Sequence, residues 1–549
     1  MAAQGYYRLT NRLAAVNVTA GPGSTNAITG VFGAWTDSLG MVVVSGQVKW
    51  ETLVRSTALP LRQLGDQEAD IVRMVEPITK YAVLVTEPKS IRYHLERAIH
   101  LARSGRPGPV WLDVPGNVQS AMVDPDTLEG FVPDERDAPT ADVPAVTAEI
   151  VRGLAGAERP VILAGAGVRL SGAAETFAVL ADRLGVPVVT GFNAHDLLPT
   201  DHSVYIGRQG TIGDRAGNFA VQNADFLLIL GCRLNIRQVS YAWEHFARGA
   251  KKVMVDVDTA ELCKPTLAID LPVHADAALV VVELLRQTGE WGRSRAHTRW
   301  LDWCAQRKAR YPVVLPEYWT SPRQVNPYCF VEALFGQLAD DETVVTGDAT
   351  ACITTFQAAK LRAGQRLFSD SGCAPMGFDL PAAIGACVAQ DRRRVVCLAG
   401  DGSIMLNVQE LQTIAGLSLP IKLFVLNNRG YLSIRLTQRT FFPDNPVGAG
   451  PESGVTFPDF ERLAYGFGIP FRRCDTHAGL AQAIRETLDG DGPQMCEIAL
   501  DPEQPFSPRV SSKRLPDGRM VTAPLEDMFP FLPREEFLDN MIVPPVPQS

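Results

Sequence analysis

Apolar runs of about five residues, rich in Val, Ile and Leu, recur along most of this chain. Longer stretches, apolar at every third or fourth position, separate them. The spaced stretches predict helices. The runs, apolar at successive positions, predict parallel strands covered on both faces by those helices. The clearest case is Arg394-Val395-Val396-Cys397-Leu398-Ala399, followed by Ile404, Met405, Val408, Leu411 and Ile414 on one helical face, and then by Ile421-Lys422-Leu423-Phe424-Val425-Leu426. This is a βαβ unit, with a helix expected to begin at Ser403.

The same alternation fills the chain in order and predicts an α/β protein of three doubly wound parallel-sheet domains. The first, residues 1–130, enters midway through its first unit: Met1 to Arg8 is helical without a preceding cap, and Leu13 to Thr19 is a strand. A loop at Gly21 to Asn26 starts a helix, Met41 to Ser45 and Pro109 to Val114 are strands, and Ile71 to Leu84 and Ile91 to Ala102 pattern as helices. A Pro- and acid-rich linker occupies 131–144. The central domain, 145–288, carries strands at Pro160 to Ala164, Pro187 to Thr190, Phe226 to Leu230 and Lys252 to Val257. A connection with Trp291, Trp300 and Trp303 spans 289–327. The third domain, 328–504, has a strand from Thr343 to Thr346, a helix from Leu380 to Ala389, the βαβ unit above and a last strand at Met495 to Leu500. Residues 505–549 form a Pro-rich arm with a short helix near Arg534 to Met541. The shared pattern of the first and third domains suggests duplication.

Composition narrows the partners. A net charge of −9 with no basic block argues against nucleic acid. The ten cysteines form no Cys-x-x-Cys pair and lie mostly in apolar runs, which predicts reduced buried thiols in a cytoplasmic protein. No apolar run approaches the ~18 residues of a membrane helix, and no signal peptide opens the chain.

The candidate chemistry lies at the ends of two strands. Parallel strands of a right-handed unit end at one sheet edge, where ligands bind. Gly400-Asp401-Gly402-Ser403 and Asn427-Asn428 leave their strands there. A carboxylate, an amide oxygen and the positive end of the helix expected at Ser403 suit a magnesium ion carrying a diphosphate, because phosphates supply most of the six oxygens magnesium needs. Gly165-Ala166-Gly167 looks like a dinucleotide turn, but its spacing does not follow G-x-G-x-x-G, and an ordinary strand-to-helix turn explains it equally well. An NAD-linked dehydrogenase would rest on that turn alone.

Gly400-Asp401-Gly402 followed by Asn427-Asn428 resembles the signature of thiamine diphosphate-dependent enzymes. Further landmarks resemble their acetolactate synthase branch: Gly21-Pro22-Gly23-Ser24-Thr25-Asn26, Ser45-Gly46-Gln47-Val48, Ser104-Gly105-Arg106-Pro107-Gly108-Pro109, Gly231-Cys232-Arg233, Asp256-Val257-Asp258 and Met376-Gly377-Phe378. The resemblance implies that Asp401, Asn428 and the Gly430 carbonyl ligate magnesium. Gly400, Gly402, Ser403 and the turn from Gly347 to Thr350 would hold the diphosphate, and Met376 would support the thiazolium ring. It implies a carboligase that decarboxylates a 2-keto acid such as pyruvate and transfers the two-carbon unit to a carbonyl acceptor. It also implies non-redox FAD at Gly165, Ala166, Gly167, Arg233, Arg237, Asp256 and Asp276, where Arg233 and Arg237 would bracket a pyrophosphate or a substrate carboxylate, Arg237 being a substrate candidate as well. Active sites in this family lie between subunits, so a homodimer or homotetramer is expected.

Four departures qualify the resemblance. The activating glutamate of the family belongs about five residues before Met1, which leaves either an incomplete sequence or a non-catalytic, cofactor-binding member. Gln67, in Asp66-Gln67-Glu68, stands where relatives place an active-site glutamine, and a polar helix end is an equal reading. Asn235 and Ile236 replace two acids between Arg233 and Arg237, and Lys49 stands where relatives often have proline. Thr437 occupies the place of a large tryptophan and opens the acceptor side. The run from Tyr431 to Gln438 and the tail from Ser511 to Gly518 resemble carboligases of the yersiniose pathway, which act on nucleotide-linked keto-sugars.

Overall fold

The computed structural model describes residues 1–133, 141–514 and 519–546. Part of the expected linker (131–144) and of the tail Ser511 to Gly518 lies outside the described residues. The chain folds into two compact units. One joins Met1–Ala138 to Asp370–Val395 and Leu406–Ile421; the other joins Pro139–Ser369, Val396–Met405 and Lys422–Ser549.

The first unit holds a four-stranded parallel sheet of β1 (Ala14–Val18), β2 (Met41–Gln47), β3 (Tyr81–Leu84) and β4 (Pro109–Pro115), ordered β1-β2-β4-β3. The helix expected over Ile71 to Leu84 is instead a short helix Ile71–Val75, a turn at Glu76–Ile78 and strand β3. Pro77 stops the helix, and Tyr81-Ala82-Val83-Leu84 pairs in parallel with Val110 to Asp113. Short apolar runs fit either period, and tertiary pairing decides. In the same unit the helix Ala2–Thr10 packs closely on the helix Asp379–Ala389. Gly5 lies against the Ala382 carbonyl and Gly385 against the Ala2 carbonyl, and a Cβ at either glycine would collide with that backbone.

The second unit carries two six-stranded sheets. One contains β5 (Pro160–Ala164), β6 (Val188–Thr190), β7 (Tyr205–Arg208), β8 (Phe226–Leu230), β9 (Lys251–Asp256) and β10 (Leu271–His274), ordered β10-β9-β8-β5-β6-β7. Its strands bury both faces: Ile162, Ala164, Leu228 and Leu230 join one core, and Val161, Leu163, Leu227 and Ile229 join the other. That is why these strands read as unbroken apolar runs. The other sheet contains β11 (Thr343–Thr346), β12 (Arg366–Phe368), β13 (Val395–Gly400), β14 (Ile421–Asn427), β15 (Phe471–Cys474) and β16 (Gln494–Ala499), ordered β12-β11-β13-β14-β16-β15. Four short strands, β7, β10, β12 and β15, carry too few apolar residues to stand out in the sequence.

The arm after residue 504 docks on the central sheet's helices. Asn223 donates to the Asn540 carbonyl (2.9 Å) and accepts from the Ile542 and Val543 N–H groups. Glu526, buried, accepts from Gln222 (2.6 Å) and pairs with Arg248 (2.8 Å). All ten cysteines are free, and all but Cys263 and Cys373 are buried. Among the described residues no helix is long and apolar enough to cross a membrane.

Candidate active site

In the sheet β12-β11-β13-β14-β16-β15, the chain leaves β11 to one side for β12 and returns to the other side for β13. This reversal between β11 and β13 opens the crevice where α/β sheets bind ligands. Three neighbouring strands deliver the candidate residues to it: β11 ends in Gly347 to Thr350, β13 in Gly400 to Ser403, and β14 in Asn427 to Gly430. The Gly347 N–H donates to the Leu398 carbonyl (2.8 Å) and the Asp401 N–H to the Leu426 carbonyl (3.3 Å), fixing the three turns side by side.

Asp401 is 2% exposed. Its Oδ1 accepts the Gly402 N–H (2.8 Å) and its Oδ2 the Gly430 N–H (2.9 Å). Burial pushes its pKa up to about 6, against those N–H groups and Arg435, which favour the charged form. Asn428 donates to the Thr350 hydroxyl (2.9 Å), while its own Oδ1 is buried with no hydrogen-bond partner. An orphaned amide oxygen costs free energy unless something meets it. Beside a carboxylate and a backbone carbonyl, it fits a hard cation that takes its remaining oxygens from phosphate.

The helix expected at Ser403 does not start there. The residues after Ser403 form a single turn, Ile404–Leu406, and the helix is Glu410–Gly416. Asn407 intervenes: its side-chain amide donates to the Gly377 carbonyl (2.7 Å), and its own carbonyl accepts the Glu410 N–H (3.0 Å). Asparagine favours such capping geometry over a helix interior. The helix that starts at this edge is Ala349–Ala358, directly after β11. Ala349 holds φ 50, a left-handed conformation rare for a residue with a side chain, at the centre of the candidate diphosphate turn. A Cβ on Gly402 would strike the Tyr431 ring.

Arg435 was not a sequence candidate. Seven residues past Asn428 on the helix Leu432–Phe441, it is buried and donates to the Asn428 carbonyl (3.1 Å). The signal was present: an arginine on the apolar face of a helix, between Leu432 and Leu436, needs a partner inside. Thr437 lies on the exposed face of that helix, its hydroxyl bonded to the Ser433 carbonyl (3.0 Å).

The central sheet has its own reversal, between β5 and β8. Gly165, Ala166 and Gly167 follow β5, and Arg233 and Arg237 follow β8. Asp256 ends β9, and Asp276 follows β10 and caps the helix Ala277–Gln287. Gly165 and Gly167 pack against Gly231, where a Cβ would meet backbone, so their smallness serves the turn itself. Nearby, Asn235 Oδ1, Gln209 Oε1 and Ser240 Oγ are buried without hydrogen-bond partners, a polar lining that fits a ligand rich in donors and acceptors. The Arg237 guanidinium lies over the Phe192 ring (5.7 Å), and its charge opposes the burial that raises Asp348.

Gln67 and Met376 belong to the first unit. Gln67 is exposed with φ 58, its carbonyl against Gly21, and the loop before it is pinned by Glu68, which accepts the Val54, Leu64 and Gly65 N–H groups. Met376 is half-buried beside the left-handed Gly377. A buried network joins three residues that nothing in the sequence links to Asp113: Asp113 accepts from Ser45 (2.5 Å) and Gln47 (2.9 Å), and Trp111 donates to Ser45 (2.8 Å). Burial raises Asp113 to about 6.

Comparison with known proteins covers the chain in three blocks. Residues 1–72 match the N-terminal TPP binding domain of thiamine pyrophosphate enzymes, 147–284 their central domain and 347–498 their C-terminal TPP binding domain. The chain is 30% identical over 534 residues to a probable acetolactate synthase large subunit of Methanococcus aeolicus, covering 92% of this chain and 84% of that protein. It is 30% identical over 518 residues to acetolactate synthase isozyme 1 large subunit of Escherichia coli K12 (92% and 86% covered). It is 32% identical over 527 residues to the chloroplastic acetolactate synthase 1 of Zea mays (93% and 79% covered).

Proposed function

The chain belongs to the thiamine pyrophosphate enzymes, in their acetolactate synthase-like branch, and on that premise we propose that it is a carboligase acting on pyruvate and a carbonyl acceptor. The observation that carries the reading is the buried, unpartnered Asn428 Oδ1 beside Asp401 at the β11/β13 crevice. Asp401, Asn428 and the Gly430 carbonyl hold magnesium. Gly400, Gly402, Ser403 and the Gly347 to Thr350 turn hold the diphosphate, and Met376 supports the thiazolium. When bound, thiamine diphosphate supplies the carbanion stabilisation that decarboxylation of a 2-keto acid requires. Arg237 orients a substrate carboxylate by charge-assisted hydrogen bonds. Gln67 lines the substrate side.

The acceptor we favour is a ketone larger than a second pyruvate, such as a nucleotide-linked keto-sugar. Thr437 supports this, since a small side chain with its hydroxyl turned back to its own helix leaves room. The test is to supply pyruvate, thiamine diphosphate and magnesium, with and without a nucleotide keto-sugar. Release of carbon dioxide and a branched sugar product is expected. Rapid acetolactate formation with no gain from the sugar overturns the acceptor, and no consumption of pyruvate overturns the carboligase.

At the second reversal we place FAD in a non-redox role, supported by the unpartnered Asn235, Gln209 and Ser240 atoms beside Arg233 and Arg237. The purified protein should be yellow and release a flavin on denaturation; a colourless protein that takes up no added FAD overturns this. The assembly proposed is a homodimer or homotetramer, checked by sedimentation.

A further inference from the structure

The second unit contains a cavity of about 180 Å³ between the edge strand β7, the end of the helix Arg295–Arg310 and the end of the helix Ala349–Ala358. None of the candidate cofactor residues lines it. It sits at the far end of Ala349–Ala358 from Thr350, about 12 Å away at the rise of an α-helix. Its walls are mostly apolar, with Tyr205, Tyr311 and Val314 among them.

Two cations face this apolar space. Arg208 is 5% exposed and reaches the Gln357 and Ala359 carbonyls, and its Nε has no hydrogen-bond partner. Lys308 donates to the Thr200 and Tyr205 carbonyls, at 2.6 Å each, and an ammonium has a third N–H. Among the described residues neither cation forms an ion pair. Asp214, also on the wall, spends its oxygens on the Arg208 and Gly217 N–H groups at the start of the helix Arg215–Gln222. Glu332 and Lys360 at the rim neutralise each other (2.6 Å). Asp214 is thus the one wall carboxylate among the described residues that faces both Arg208 and Lys308, which repel each other; burial and that repulsion both lower the Lys308 pKa, against Asp214 and the exposed Asp201 outside the wall. Carbonyl contacts offset only part of the cost of a buried guanidinium beside a half-buried ammonium.

We propose that this cavity is a binding site for a small carboxylate with an apolar body, such as a branched five-carbon or single-ring acid. A dry cavity of about 150 Å³ accommodates benzene, so the volume matches. The single negative charge supplies the balance that Arg208 and Lys308 lack, and the tyrosine and valine walls take the hydrocarbon.

The test titrates the full chain with 4-fluorobenzoate, followed by fluorine NMR. Saturable broadening is expected, displaced by 3-methylbutanoate and not by its neutral amide. Lys308→Met should weaken binding about tenfold or more, and Val314→Trp, which fills the cavity from its wall, should abolish it. Failure to saturate, equal displacement by the amide, or a signal that survives Val314→Trp overturns the proposal. The last outcome would place the acid at the crevice instead. Should Lys308→Met fail to fold, Val314→Trp and the amide competition still decide.

Discussion

A buried carboxylate that collects backbone N–H groups, as Asp401 does, is prepared to stay charged only while something positive faces it. Asp401→Asn and Asn428→Ala should each lower magnesium-dependent affinity for thiamine diphosphate by about a hundredfold, and Arg435→Met by about tenfold through Asn428. Calorimetric titration at fixed magnesium measures all three, and unchanged affinity in either ligand variant would remove these residues from the site. Asp113 makes a separate prediction. Its folded pKa of about 6 exceeds the ordinary 3.8, so the folded chain binds its proton more tightly than the unfolded chain. The resulting stability, at most roughly 3 kcal/mol, is complete below about pH 4 and lost as pH rises through about 6. The difference in thermal midpoint between wild type and Asp113→Asn should therefore grow as pH falls from about 7 to 5; a constant difference refutes it. Asp401 and Asn428 were legible in the sequence because each follows an apolar strand directly. Arg435 and Asp113 were not, because their partners are created by tertiary packing.

At the scale of elements, the close crossing of Ala2–Thr10 on Asp379–Ala389 depends on two glycines meeting backbone. Gly385→Val should cost about 1–3 kcal/mol by overpacking, read as a lower thermal midpoint, whereas Gly156→Ala, with open space around it, should not. A midpoint equal to wild type for Gly385→Val would mean that the helices can move apart freely. Most strands were legible from their apolar runs because both faces of their sheets are covered. Strand β3 was not, since four residues cannot declare a period. The helix expected at Ser403 failed for a related reason: Ile404, Met405, Val408 and Leu411 keep helical spacing across a turn that Asn407 interrupts.

Across the whole molecule, buried polar residues help to hold the arm after residue 504. Asn223→Ala would strand the Ile542 and Val543 N–H groups and the Asn540 carbonyl. Limited trypsin digestion should then cut at Arg534 about tenfold faster; an unaltered rate would show the arm to be secured elsewhere. The order of sheets was legible from the order of landmarks. What the linear reading could not reveal is that Asp370–Val395 and Leu406–Ile421 cluster with the first 138 residues, because nothing in a run of apolar positions says which distant helix will cover it.

That discontinuity bears on how the protein is made. The helix Ala2–Thr10 leaves the ribosome long before Asp379–Ala389 exists, and at about 5–20 residues per second it waits on the order of twenty seconds to a minute for its partner. Throughout that interval the nascent first unit exposes the Gly5 face of that helix, which the later segment will cover. Ribosome stalling before the codon for Asp379 would therefore leave a fragment unable to complete its own first unit.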